Sequence, residues 1–460
     1  MMNLFRPLQP KTGSRNPATG LTIPAGITTA IVLGALAVGL LAACDPEQGV
    51  VPKPVSGVPE PVGPATQVPR TGSATAAATA AATAAATATA TAAATAAATA
   101  PAPPVPPSPA LIAAPQPGGR AVTVADGDQL AKALADARPG DVITMKDGVY
   151  TAKGDSVTIG KQNAAAKFRI TESGTADRPI ILQGSRQAII DGKPGDDGTG
   201  GDYGLHIFKA DHWTVRGIRI TNQKKGLVLD GSNHNTIDGV MVDTIGQEAV
   251  HFRSGSSDNV IKNSFVARTG YTSPGYGEAI YIGSDGGNWD KLYMGTGSDK
   301  SDQSDRNQVL YNTITEFTGE GLDIKEASSF NLVKGNYFDG GRLGTDPDKP
   351  GDPLKPQNSA DSWIDVKGDN NTITENSGVH VPPLHKNSAA FQTHVHGPDG
   401  YNSASNNLFT KNKVLSGNQG YGFWIDPNGT GNVLSCSNII QTSEPGKGFS
   451  NLGGCRETGN

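Results

Sequence analysis

From residue 121 to the end of the chain, apolar residues come in short runs that alternate with polar ones and are broken by Gly, Asn and Asp. Alternation with period two over so few residues predicts short strands. One stretch differs: Asp126 to Ala137 places Leu130, Ala133, Leu134 and Ala137 on one helical face. It lies between a strand at Val122-Thr123-Val124 and the turn Pro139-Gly140-Asp141, which leads into the strand Val142-Ile143-Thr144-Met145. A short helix there would cover an otherwise open sheet edge.

The strands repeat. Four segments fit the pattern Asn-x-(Ile, Val or Phe)-x-x-Asn: Asn307 to Asn312, Asn331 to Asn336, Asn371 to Asn376 and Asn407 to Asn412, with related versions near Asn235, Asn259 and Asn432. Asn307 and Asn331 are 24 residues apart, as are Ile237 and Ile261. A β-rich unit recurring at this period predicts a solenoid in which each coil stacks on the one before. Asn at a fixed turn position in successive coils fits an internal ladder of side-chain amides.

A second strand in each unit aligns through Leu227–Asp230, Val250–Arg253, Ile280–Gly283, Leu322–Lys325, Ile364–Lys367, Phe391–His394 and Phe423–Asp426. First and third positions are mostly apolar and point inward; second and fourth point outward to solvent. Stacking produces two outward columns. One holds Val228, His251, Tyr281, Asp323, Asp365, Gln392 and Trp424; the other holds Asp230, Arg253, Gly283, Lys325, Lys367, His394 and Asp426. Neighbours in a column are about 4.8 Å apart, so Asp323, Lys325, Asp365 and Lys367 form a charged plate. Glu248, Glu278 and Glu320 precede three of these strands as a third, acidic column. Insertions at Asp285 to Asp305 and Arg342 to Asp361 interrupt the same coils, where solenoid insertions commonly wall a groove. Trp363, Tyr281, Trp289 and Trp424 lie near the plate as flat surfaces for sugar rings.

The N-terminal quarter of the chain is different. Residues 1 to 26 carry Arg6, Lys11 and Arg15 without an acid, and Ile27 to Ala43 is an uncharged apolar run, the pattern of a secretory signal. It is shorter than the roughly 20 residues a membrane span needs. Leu41-Ala42-Ala43-Cys44 resembles the bacterial lipobox, which implies lipidation at Cys44 and a membrane-anchored protein whose folded part faces the periplasm or cell exterior. Residues 44–118 are rich in Pro, Ala and Thr and read as a disordered tether. Residues 119–460 form the folded domain. The remaining cysteines, Cys436 and Cys455, suit a disulfide in an oxidising compartment. With 38 basic and 43 acidic residues the chain carries a net charge of −5, which argues against a nucleic-acid partner. A monomer is expected, touching the membrane only through its anchor.

From about Ala121 to Asn460 the chain resembles the right-handed parallel β-helix proteins of the extracellular polysaccharide lyase kind: chondroitinase B, alginate lyase and pectate lyase. The resemblance rests on the repeats and on the run from Pro139-Gly140-Asp141 through Ser173-Gly174-Thr175-Ala176-Asp177-Arg178-Pro179-Ile180 to Ile189-Ile190-Asp191-Gly192. It implies an all-β fold and an acidic polysaccharide as partner. In the chondroitinase B and alginate lyase group, calcium held by Glu and Asn sits beside a Lys base, with an Arg on the following coil. Glu320-Gly321-Leu322-Asp323-Ile324-Lys325 is similar in type and order, but Lys367 stands on the next coil where the group has Arg.

Cleaving a uronate polymer by β-elimination requires a base for the C5 proton and a cation to stabilise the enolate that develops on the neighbouring carboxylate. Glu278, Glu320, Asp323 and Asp365 supply the hard oxygens that Ca2+ needs. Lys325 serves as base if nearby positive charge leaves it partly neutral, and Lys367, Arg253 or His394 protonates the leaving oxygen. His251, Tyr281, Trp363, Gln392 and Trp424 then line the sugar-binding wall. Other readings use the same residues. Alternating Asp and Lys also make a purely structural ion-pair lattice. The groove also suits a surface protein that binds polysaccharide without cleaving it, an adhesin-like role, or an epimerase. A hydrolase using Asp323 and Asp365 is disfavoured, because flanking lysines would keep both ionised.

Overall fold

The computed structural model describes residues 103–112, 114–192, 202–340, 361–381, 388–398, 401, 403–418, 420–441 and 448–457. The signal sequence, Cys44 and most of the tether lie outside these residues.

The chain winds as a right-handed parallel β-helix with three faces, two of 11 strands and one of 10. Each coil contributes one strand to each face, and each strand pairs in parallel with its counterpart on the next coil. The exception is the hairpin Asp155–Ile159 with Gln162–Ile170, which is antiparallel. Inward positions stack by type. On one face Val215, Ile237, Ile261, Val309, Val333, Ile373 and Phe409 follow one another in register, all fully buried. Burying each such side chain contributes about 1.5–3 kcal/mol.

Helix α1 (Gly127–Ala135) begins at Asp126, whose side chain accepts the Gln129 N–H at 2.8 Å, and it buries Leu130 and Leu134 in the core. It packs on the terminal strands Ala121–Val124, Gly148–Tyr150 and Gln162–Ile170. At the other end Cys436 and Cys455 are bonded, joining segments 19 residues apart.

The corners of the coil are fastened by asparagine. Asn235, Asn259, Asn307, Asn331, Asn371, Asn407 and Asn432 form one ladder in which each side-chain oxygen accepts the backbone N–H of the preceding rung at 2.8–3.0 Å. A second ladder, Asn312, Asn336, Asn376, Asn412 and Asn438, repeats the pattern at 2.9–3.0 Å. The two asparagines of the six-residue repeat thus occupy the two ends of one strand.

Part of the segment that composition assigns to the tether lies against the coils. Ile112 exchanges hydrogen bonds with the Gln183 amide, both at 2.8 Å, and Arg186 donates to the Pro106 carbonyl at 2.7 Å. Pro109 sits over Gly239, where φ is +64° and a Cβ would come within 2.2 Å of the proline ring. A proline-rich strand needs no apolar core of its own when its carbonyls find donors on a preformed surface.

Replacing Asn371 by Ala removes the acceptor for both the Asn331 backbone N–H and the Asn331 side chain, all of them buried. We expect a loss of about 2 kcal/mol or more in equilibrium unfolding, against under about 0.5 kcal/mol for Leu452→Ala on the surface.

Candidate functional site

The third face carries the charged columns, and its register follows the sequence alignment. His251 pairs with Tyr281, Tyr281 with Asp323, Asp323 with Asp365, Asp365 with Gln392 and Gln392 with Trp424. Just past the strand ends, the backbone N–H groups of Lys325, Lys367 and His394 donate to the preceding coils, which keeps their side chains in a second column.

The plate forms. Lys367 Nζ lies 2.9 Å from both oxygens of Asp323 and 2.6 Å from Asp365 Oδ2, which also meets His394 Nδ1 at 2.9 Å. Lys325 is held more loosely, 3.6 Å from Asp323 and 3.7 Å from Asp285, with its ammonium 5.5 Å from the centre of the Tyr281 ring. Burial works to lower both lysines, but their acidic neighbours together outweigh it, Asp323 with Glu326 and Asp285 at Lys325 and Asp323 with Asp365 at Lys367, so both sit above the usual lysine range. Burial works to raise Asp365, yet His394 and Lys367 hold it well below the usual carboxylate range. Burial also opposes the charge on His394, and Asp365 overcomes it, raising the imidazole.

The acidic column forms as well. Glu278, Glu320 and Asp323 are all buried, and one oxygen from each lies within 4.8 Å of the others. Glu278 Oε2 has no hydrogen-bond partner among the described residues. Burial, then the charges of Glu248 and Asp323, push Glu278 up to about 8; burial and Asp323 push Glu320 well above its usual range. Two buried carboxyls short of positive charge, one with an orphaned oxygen, beside the lysine-paired Asp323, fit a cation with oxygen ligands. Asp365 stands apart from this trio, committed to Lys367 and His394.

Several expectations need correction. The outward columns face away from the core, but they are not solvated. Asp323, Asp365, Lys325, Lys367, His251, Arg253, Tyr281, Glu278, Glu320 and Gln392 are all buried, because long side chains on coils about 4.8 Å apart lie over one another. Gln392 donates to the Asp361 carbonyl at 3.1 Å and offers no open surface. His251 points Nε2 at the Gly283 carbonyl, 2.9 Å away, and stands edge-on to Tyr281; burial, then Lys225 and Arg253, lower its pKa well below the usual value and leave it neutral. Of the expected sugar-binding groups, Trp424 alone is half exposed, beside His394 with ring centres 4.9 Å apart.

Trp363 is the clearest reversal. It is fully buried in the core, stacked on Phe338 and edge-on to Phe391. Its counterpart on the preceding coil is Gly321, where a Cβ would meet Phe338 at 2.8 Å. At this corner the chain bends so that residue 363 turns inward, and period-two alternation does not apply. Trp289 is also covered, its indole N–H donating to the Ser284 carbonyl at 2.9 Å.

Arg253 lies two coils from Lys325, with Gly283 between, and is committed elsewhere. Its guanidinium holds Asp230 at 2.7 and 3.2 Å and Tyr203 at 2.8 Å, while His206 takes the other side of Asp230 at 2.8 Å. Sequence reasoning missed this buried group. Asp230 beside Arg253 in one column was the available signal.

Comparison with known proteins agrees with the geometry. The Pel9A-like right-handed β-helix region matches residues 116–277, and the right-handed β-helix region matches residues 203–381. The crystal structure of an alginate lyase from Paenibacillus sp. str. FPU-7 is 30% identical, with a TM-score of 0.56, over 72% of this chain and 98% of that one. The chain belongs to the right-handed β-helix polysaccharide lyase family. Pectate lyase L of Dickeya chrysanthemi is 28% identical over 145 residues, 30% of this chain; the chain spans about a third (31%) of that enzyme's length. The structure of pectate lyase Pel9A is 16% identical, with a TM-score of 0.46, over 70% of this chain and 80% of that one.

In this β-helix lyase-family chain Glu278 makes a pH-dependent contribution to stability. Glu278 ionises near 4.5 when unfolded and near 8 when folded, so the native state binds the extra proton between these values. The associated stability is present in full below about 4.5 and is lost as pH rises through about 8. Glu278→Gln cannot ionise. In calcium-free buffer its thermal midpoint should gain on that of the wild type by a few degrees from pH 5 to pH 8.5, and a difference that stays flat with pH would contradict the assignment.

Proposed function

We propose that the protein is an exported, calcium-assisted lyase that cleaves a uronate-containing polysaccharide by β-elimination, with alginate the first substrate to test and pectate the second. The observation that supports this reading is the buried Asp323–Lys325–Asp365–Lys367 plate, with the partly exposed His394 at its edge and the acidic trio beside it, in a chain that aligns along nearly the whole of an alginate lyase. Glu278, Glu320 and Asp323 would hold the calcium, which when bound supplies positive charge for a uronate carboxylate and offsets the negative charge around the lysines.

The chain's own groups divide the remaining work. Lys367 is fixed by three short contacts and acts as a stationary positive charge that holds Asp323 and Asp365 in place. Lys325 has acidic neighbours at 3.6 and 3.7 Å, beyond hydrogen-bond range, so among the described residues it is held loosely enough to change partners when substrate arrives. It carries the proton-transfer role, as base when its acidic neighbours are neutralised. His394, raised in pKa and with a side chain 27% exposed, is placed to protonate the leaving oxygen, and Trp424 beside it offers a face for a sugar ring. Arg253 has no part in proton transfer. Anchoring through Cys44 would keep this chemistry at the cell envelope, where long polymers are met.

Incubation with alginate should raise ultraviolet absorbance as an unsaturated uronate forms, a chelator should abolish the rise and added calcium restore it. Lys325→Ala should lower turnover about 10²–10⁴-fold while the fold is retained. Retention on alginate or pectate without new chain ends, unchanged in Lys325→Ala, would instead support a protein that binds polysaccharide without cleaving it.

A further inference from the structure

Immediately after Lys325 the strand alternation ends, and Glu326 turns into a second cluster that the proposed lyase chemistry does not use. Glu326 is fully buried. Its Oε1 accepts the Gly286 N–H at 2.6 Å and lies 3.1 Å from His396 Nδ1, while Oε2 has no hydrogen-bond partner among the described residues. Asp285 enters from the turn after the strand Ile280–Ile282. Its Oδ1 accepts the Gly287 N–H at 2.9 Å; its Oδ2 stands 3.8 Å from His396 Nδ1 and 3.7 Å from Lys325 Nζ, too far for a hydrogen bond to either. One ligand atom from each of Asp285, Glu326 and His396 lies within 4.8 Å of the other two.

We propose that Asp285, Glu326 and His396 form a second cation site, distinct from the acidic trio, that takes a borderline divalent ion, zinc first. The donor set decides the class. Two carboxylates and an imidazole nitrogen suit zinc and its first-row neighbours, whereas calcium is bound through oxygen alone. Three protein ligands leave a fourth position for water. Glu326 forms the floor, and its Oε2, buried without a hydrogen-bond partner among the described residues, has lone pairs that an ion would satisfy. Asp285 and His396 are partly exposed, with side chains 37% and 48% accessible, and they provide the way in. The Ser403 side chain braces the His396 backbone at both N–H (3.0 Å) and carbonyl (2.8 Å), which limits how far the ring can wander. Bound here, the ion ties together a turn, a strand end and a loop that lie 40 to 70 residues or more apart in sequence, all beside Lys325. It therefore holds the rim of the proposed active site in shape.

The test is calorimetric titration of the metal-stripped full-length protein with Zn2+ in excess Ca2+, which keeps the oxygen-only site filled. One zinc should bind per chain. His396→Ala and Glu326→Gln should each weaken it at least tenfold, and His394→Ala should leave it unchanged. No zinc binding, or binding that survives His396→Ala and is lost in His394→Ala, overturns the proposal. Circular dichroism without zinc checks that each variant folds. Should one fail, zinc-edge anomalous scattering from crystals of the unsubstituted protein decides: a peak among the three side chains supports the site, and its absence there overturns it.

Discussion

Everything in this protein depends on the hydrogen bonding of each coil to the next. The parallel pairing fixes the spacing between coils, and the two asparagine ladders fix it again at the corners, where strand pairing stops and backbone N–H groups would otherwise be buried without acceptors. Because an amide both accepts from the backbone of one coil and donates toward another, a slip of one coil would strand several buried groups together. Register is therefore specified far more strongly by polar groups than the interchangeable aliphatic core could achieve.

That fixed register is what makes a charged wall possible. Residues dozens of positions apart are brought to within hydrogen-bond reach, and the crowding removes them from water. In such a setting charge must be balanced locally. Lys367 balances Asp323 and Asp365, Arg253 balances Asp230, and the lattice reading of the alternating charges is correct to that extent. The balance fails at Glu278 and Glu320, whose carboxyls are pushed toward the neutral form. An imbalance left in an otherwise well-paired wall is the feature that a structural lattice alone does not explain and that a bound cation does.

The sequence displayed the coil period, the asparagine rungs, the alignment of strands and the columns of the third face, because each of these is a one-dimensional pattern that stacking converts directly into contact. It did not display where the pattern bends. Trp363 follows the alternation of its strand on paper, yet it sits at a corner whose other coils have Gly or Ala, and the only room for an indole there is inside. Glu326 was invisible for a related reason, since it lies one residue past the end of its strand. Burial was also misjudged: alternation tells which way a side chain leaves the sheet, not what lies over it. The proline-rich residues before the first strand carry no periodic signal at all, and their place on the coils depends on donors such as Gln183 and Arg186 that only the folded surface brings together.

The most direct measurement is a crystal structure of the protein soaked with calcium and a short uronate oligosaccharide. The account predicts a cation among Glu278, Glu320 and Asp323, a sugar carboxylate between that cation and Lys325, and a ring packed near Trp424. A carbohydrate bound on either of the other two faces, with the acidic trio unchanged and holding no ion, would contradict it.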